Sequence, residues 1–405
     1  MSISEMAKTI GDSVTLKLNA KAAAIRSQGG AVIHLGGGEP KSKAPEGAVT
    51  KAQEVLKTAE IRYGPASGIP ALKEAVRRYT EEFYGRKPEP SQVMVGGGAK
   101  GAVMSCLRAV LNPGEEVVFP APYWVSYPEM VKLCNGVPVP AYPEDGTVYP
   151  KVEDIVRKLG PRTKAVIINS PNNPSGAMYS ADFIGDMVRL CEDRGLYLIM
   201  DDIYHRLIFD GRTQISAYDY AEDLSDESRL VVINGVSKQY AMTGFRIGWS
   251  VASAKLTKVM TNIQSHETSG PSVLSQWAAV GALEGPQGCV EDLRSTLESN
   301  RDVVMGELKS LDGVKVERPD GTFYCFCDFS AYEKDSTKLS NFLLEKVLVV
   351  AVPGVEFGAE GYLRISFCGS VEEIKEGVAR IKWALDPDSP KELMIGGEKV
   401  SRDWA

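Results

Sequence analysis

The chain has 405 residues, 43% of them apolar and 24% charged, with a net charge of −7 at pH 7. That length allows more than one domain and a large core, and the acidic balance argues against nucleic acid or an anionic membrane as the main partner. No apolar run reaches the roughly 18 residues of a membrane-spanning helix, and the first residues lack the basic and apolar regions of a signal peptide. Seven scattered cysteines and three histidines form no zinc-like spacing, so a reducing cytoplasm is the expected compartment.

In chain order, a polar arm precedes a helix expected over 15–28. Residues 33–40 read I-H-L-G-G-G-E-P; three successive glycines signal a positive-φ turn or a backbone that approaches another group closely. A helix is expected over 45–58. Residues 62–70, R-Y-G-P-A-S-G-I-P, form a fixed Gly/Pro loop that carries Tyr63 outside any apolar periodicity. A helix over 71–84 follows.

A strand over 92–95 then runs through glycines into a helix over 99–111. Gly96, Gly98 and Gly101 spell G-x-G-x-x-G, but the dinucleotide fingerprint needs an acid at the end of the next strand. Here Glu115 and Glu116 precede that strand, 117–119, so the turn reads as a simple phosphate cradle at a helix start. Trp124 follows the strand end, where it would stack on a flat ring or fill the core.

A further apolar strand, 164–169, ends in S-P-N-N-P-S-G, with Asn173-Pro174 a candidate cis bond. A helix over 181–194 leads to a strand over 196–200, which ends in D-D-I-Y-H. Asp201 and Asp202 there need partners, because a buried unpaired carboxylate is costly; a protonated ring nitrogen would serve one of them. The strand 230–233 leads to Ser237 and Lys238, with Arg246 between Gly244 and Gly248. Burial of a lysine just past such a strand lowers its pKa and makes the amine a nucleophile toward carbonyls. Serine and arginine beside it suit a phosphate.

Strand and helix thus alternate from 91 to about 235, which implies an α/β fold with a doubly wound, mostly parallel sheet. Asn173, Asp201 and Lys238 fall at carboxyl ends of strands, where such sheets bind ligands. Helices over 254–263, 272–283 and 289–311 follow, the last long enough to connect domains. Strands over 323–328, 348–352 and 362–367 and helices over 336–345 and 371–385 read as a smaller α+β domain completed by the N-terminal arm. Cys325 and Cys327 take alternate strand positions. Arg364, in an otherwise apolar strand, is a carboxylate fork or a structural ion pair. The expected division is 1–47 for the arm and part of the small domain, 48–287 for the large domain, 288–385 for the small domain, and a polar tail over 386–405 with no assigned role.

G-E-P at 38–40, Y-W-V-S-Y-P at 123–128, S-P-N-N-P-S-G at 170–176, D-x-I-Y at 201–204, S-K-x-x-x-M-T-G-x-R-I-G-W at 237–249 and R-I-S at 364–366 occur in one order. By these motifs nearly the whole chain resembles the class I aminotransferases, the fold-type I enzymes of pyridoxal 5'-phosphate (PLP), and among them the bacterial aspartate aminotransferases of subgroup Ib. The resemblance implies a homodimer with shared active sites, PLP as cofactor and no metal. It implies that Lys238 binds the cofactor covalently and that Asp201 keeps the ring nitrogen protonated. Tyr204 and Asn173 would bond the phenolic oxygen. Ser237, Arg246 and the backbone at Gly98, Ala99 and Lys100 would hold the phosphate, with Tyr63 reaching the phosphate of the partner subunit. Trp124 would stack on the ring, and Arg364, Gly38, Trp124 and Asn173 would line the substrate site.

The implied mechanism has the substrate amine displace Lys238, whose freed amine then moves the Cα proton as base and acid, with ping-pong release of a 2-oxo acid. Aspartate with 2-oxoglutarate is the first substrate expectation; an aromatic, alanine or specialised aminotransferase, or a lyase of the same fold, is the alternative. Departures from the family pattern are Lys41, Ser42 and Lys43 after G-E-P, Gly101 after the phosphate loop, and His266 and Glu267 in the segment 264–270. That segment has no arginine, which leaves Arg108 as a candidate for the distal substrate group.

Overall fold

The computed structural model describes residues 3–11 and 14–402. Its strands are β1 (Ile33–His34), β2 (Val93–Gly96), β3 (Glu116–Pro120), β4 (Val137–Ala141), β5 (Thr163–Asn169), β6 (Tyr197–Asp201), β7 (Leu230–Gly235), β8 (Gly248–Val251), β9 (Lys315–Val316), β10 (Tyr324–Asp328), β11 (Val349–Val350), β12 (Val352–Pro353), β13 (Tyr362–Ser366), β14 (Glu392–Ile395) and β15 (Glu398–Ser401). Seven of them form the large sheet, in the order β2-β8-β7-β6-β5-β3-β4. β3 to β7 pair in parallel, and β8 runs antiparallel to both β7 and β2.

Continuous apolar runs such as A-V-I-I and L-V-V-I make the central strands, because helices cover both faces and leave no wet side. The chain moves outward from β3 to β4 and then returns to place β5 on the other side of β3. That reversal is the switch point at which such sheets open a crevice. The parallel strands end at one edge of the sheet, and antiparallel β8 begins there. Gly98, Trp124, Asn173, Asp201 and Lys238 therefore leave that edge after successive strands, and Arg246 enters it just before β8.

β4 and β8 are absent from the sequence reading. V-P-V-P-A carries two prolines that hide a strand, but β4 is an edge strand, where prolines are tolerated. The expected cis bond also falls elsewhere: among the described residues the cis bonds are Ala121-Pro122 and Ser170-Pro171. The turn at Asn173 closes instead on Asn172, whose carbonyl accepts from Gly176 N at 2.8 Å.

A second, antiparallel sheet has the order β12-β13-β10-β9. The strand expected over 348–352 divides in two. β11 pairs in parallel with β1 of the N-terminal segment, while β12 turns to pair with β13. Cys325 and Cys327 are buried free thiols on β10. This sheet packs with the helices Gly288–Leu308, Ser336–Val347 and Val371–Leu385 in a core that also takes Ile203, Tyr204, Leu207 and Phe209 from the segment after β6, while Phe326 and Val352 of the small sheet join a core of the large one. Among the described residues serine N-caps start five α-helices, Ser4, Ser180, Ser253, Ser272 and Ser370, each accepting from a backbone N–H of the first turn. The tail, described to residue 402, forms the antiparallel hairpin β14–β15. Its Ile395 is buried in the second core.

Candidate active site

β7 carries the chain through the core, and the turn after it delivers Lys238. Its Nζ donates to Gly38 O at 2.6 Å and stands 5.9 Å from the centre of the Phe323 ring. Burial, with Arg364 and Arg246 nearby, brings its pKa down to about 8. An amine of that pKa is partly free at neutral pH and is a competent nucleophile and base. The rate at which the apoprotein captures added PLP should therefore rise about tenfold per pH unit below pH 8 and level off above it. Absorbance growth after mixing measures this; a flat rate between pH 6 and 9 contradicts it.

Asp201 ends β6 with its side chain fully enclosed. Oδ2 accepts from Tyr127 OH at 2.7 Å, whereas Oδ1 is buried with no partner. Burial pushes its pKa up to about 6, against the hydrogen bond from Tyr127 that holds it down. A buried carboxylate oxygen left unpaired is costly, and a cationic ring N–H is the kind of partner that relieves it. Tyr127, which leaves Oδ1 as the free oxygen, stands in the Y-W-V-S-Y-P motif with no role assigned to it, since only the fold brings it to Asp201. Asn169 ties this strand end to the next turn: its Nδ2 donates to Asp201 O at 2.7 Å and its Oδ1 accepts from Asn173 N at 2.8 Å.

The phosphate end lies where the helix Gly98–Val110 starts. Gly97 caps it without a side-chain bond, so the first N–H groups, those of Gly98, Ala99 and Lys100, have no intrahelical acceptor. Gly98 has φ +83°, and a Cβ there would lie 2.6 Å from the Arg246 guanidinium. Gly248 lets the same turn sit on β8, since its Cβ would lie 2.3 Å from Ala99 N. Both glycines make room for a helix start and a guanidinium that converge on one point, an anion cradle. Ser237 is buried beside Lys238 in the chain.

Arg364 is buried on β13. Its guanidinium donates to Asn173 Oδ1 at 2.9 Å and Gly36 O at 3.2 Å, and it lies 4.2 Å over the Tyr324 ring. Its Nε is buried without a partner. The glycine run thus comes close to both cations, through Gly36 to Arg364 and Gly38 to Lys238. Tyr204 OH is 3.5 Å from Tyr324 OH. Trp124 carries Lys100 Nζ 4.9 Å over its ring. Tyr63 is 94% exposed, so nothing in its own chain covers it. Arg108 is not available for a substrate: it is ion-paired with Glu267, on the last turn of its helix and about 15 Å from the cradle.

The three ends call for a partner with a carbonyl, a phosphate and a basic ring nitrogen. PLP has all three, and the class is the fold-type I PLP enzymes. Residues 31–381 match the family model described as aminotransferase class I and II. The aspartate aminotransferase of Bacillus sp. (strain YM-2) is 37% identical over 380 residues, which cover 92% of this chain and 96% of that protein. The solved aspartate aminotransferase from Thermus thermophilus with maleate has a TM-score of 0.89 at 34% identity, covering 94% of this chain and 99% of that one. That from Rhizobium meliloti has a TM-score of 0.90 at 35% identity, with 95% and 99% covered. The chain belongs to the class I and II aminotransferases. It is a PLP-dependent transaminase of an L-amino acid and a 2-oxo acid.

When bound, PLP supplies the electron sink for negative charge at the substrate Cα. Asp201 would hold the proton on the ring nitrogen through Oδ1. Gly98, Ala99, Lys100 and Arg246 would hold the phosphate, and Trp124 would face the ring. Lys238, once free, would take the Cα proton as a base and return it as an acid. Arg364 would orient the substrate carboxylate, a fork that lysine cannot copy. Arg364→Lys is therefore expected to raise the KM for the amino acid about 10- to 100-fold, the value of a charged hydrogen bond or two, with less effect on kcat. Steady-state kinetics checks this, and a KM within threefold of the parent contradicts it.

Proposed function

We propose that the enzyme is a cytoplasmic, homodimeric aspartate aminotransferase that uses 2-oxoglutarate as amino acceptor. The observation that carries the acidic substrate is a cation beyond those given to the phosphate and the α-carboxylate: the Lys100 ammonium over the Trp124 ring. Burial and Arg246 lower its pKa, so a second carboxylate would be welcome there. The relatives named aspartate aminotransferase support the reading, as does the maleate, a dicarboxylate, of the Thermus structure.

The residue roles given above belong to this reading, as does the division into 1–47, 48–287, 288–385 and the tail, supported by the separate strand orders of the large sheet and of the antiparallel sheet. The dimer is supported by exposed Tyr63, with Val49, Leu56 and Ile61 exposed close by in the chain, an apolar set of the kind that marks an interface. Addition of single L-amino acids, without oxo acid, to the PLP-loaded enzyme tests the substrate. Aspartate and glutamate should convert the absorbance to that of the amine form of the cofactor. Conversion by other amino acids alone contradicts the aspartate assignment.

A further inference from the structure

Gln239 follows Lys238 directly and is fully buried, although it is polar. Its Nε2 donates to Tyr79 OH at 2.7 Å, and to Gly235 O at 3.3 Å. Tyr79 comes from the helix Pro70–Tyr84, and its OH lies 2.7 Å from His205 Nε2. His205 follows Tyr204, and its Nδ1 lies 3.0 Å from Asp202 O. Gln239 Nε2 can only donate, so Tyr79 OH accepts there. His205 Nδ1 stands 3.0 Å from both Asp202 O and Asn234 Nδ2, which ask for opposite tautomers. The imidazole is neutral, and its burial keeps it so by lowering its pKa to about 3.

A second branch meets the first at Asp202. Asn234 Nδ2 donates to Tyr84 OH at 2.9 Å, and Tyr84 OH donates to Asp202 Oδ2 at 3.1 Å. The Tyr84 ring stacks on His205, centroids 5.1 Å apart. Every member of the two branches is buried. Burying so many polar groups is costly unless each is paired, and Gln239 Oε1 is left without a partner. Apolar residues would fill this volume more cheaply. What the chain supplies is a fixed geometry: it begins one residue from Lys238 and ends on the turn that holds Asp201 and Tyr204.

We propose that Gln239, Tyr79 and His205 form a positioning relay, which holds the Lys238 turn in register with the 201–204 turn and so sets the placement of the amine relative to the carboxylate. The relay rests on the roles proposed above for Lys238 and Asp201. Its members touch neither cofactor nor substrate in this reading; they act through their neighbours.

The test uses the full-length PLP-loaded enzyme and Tyr79→Phe, Gln239→Met and the double variant. Three quantities are read: Tm, kcat, and the pH midpoint of the absorbance transition of the bound cofactor. The midpoint reports the surroundings of the Lys238 nitrogen, which a loss of packing alone would leave in place. Each single variant should move the midpoint by about half a pH unit or more and lower kcat about tenfold. The double variant should move it no further than the larger single, because the two changes break one chain. Midpoints all within 0.1 unit of the parent, whatever the Tm, would overturn the relay, as would shifts that simply add. If Tyr79→Phe fails to fold, Gln239→Met decides by its own midpoint. A parent protein that shows no PLP absorbance at all would overturn the function and the relay together; a parent that titrates beside unmoved variants overturns the relay alone.

Discussion

Replacing Lys238 with alanine should lower kcat by about 10⁴-fold or more, with the fold intact. The residue would serve twice, first as the nucleophile that holds PLP and then as the group that moves the Cα proton. Proton transfer by a positioned side chain is alone worth on the order of 10²–10⁴-fold, and loss of the covalent step adds to it. The environment is fitted to both tasks. Burial brings the amine down to about 8, and the bond to Gly38 O aims it at the glycine run beside Arg364. Lys238→Arg should not rescue, because a guanidinium stays charged at any working pH. The measurement is kcat, with circular dichroism to show the fold and equilibrium dialysis to show that PLP still enters. A variant that retains a tenth of the parent kcat would exclude Lys238 from both roles.

The second large effect is expected at Asp201. Asparagine is isosteric and can still meet Tyr127, but it carries no charge toward a ring N–H. Removal of one preorganised group of this kind costs about 10²–10³-fold in kcat, and PLP should bind more weakly. The apoprotein should respond in the opposite direction. Folding raises this carboxyl from 3.8 to about 6, so the folded state binds the proton more tightly than the unfolded state does. The resulting cost is absent at low pH, grows as pH rises from 4 through 6, and is complete above that. Asp201→Asn removes it, and the apoprotein should gain up to roughly 3 kcal/mol at pH 8, with little gain at pH 4. Thermal unfolding of the two apoproteins at both pH values checks the sign. A variant less stable than its parent at pH 8 would contradict the reading of Asp201 as a carboxylate held without its partner.

Much of this site was legible because parallel strands end at one edge. A buried strand is a short apolar run, and the first polar residues after it must lie at its carboxyl end. That logic placed Asn173, Asp201 and Lys238 together before any contact was known. It failed where the local signal contradicts the tertiary role. β4 contains two prolines and is tolerated only because it is an edge. The four residues of β8 are too short to show a period, and their partners are far off in the chain. β1 is two residues before a glycine run, and only its pairing with β11 defines it. Tyr79, His205 and Gln239 were invisible for another reason: each is unremarkable alone, and only the folded chain puts them within 2.7 Å of one another along the relay. The free Oδ1 of Asp201 is likewise a property of its neighbours, since Tyr127 decides which oxygen is occupied.

The claim on which the rest depends is that Lys238 is the residue that binds PLP. Borohydride reduction of the PLP-loaded enzyme, followed by digestion and mass spectrometry, tests it directly. A single reduced pyridoxyl adduct on the peptide that contains Lys238 is the predicted result. An adduct on Lys100 or another lysine, with Lys238 unmodified, would contradict it.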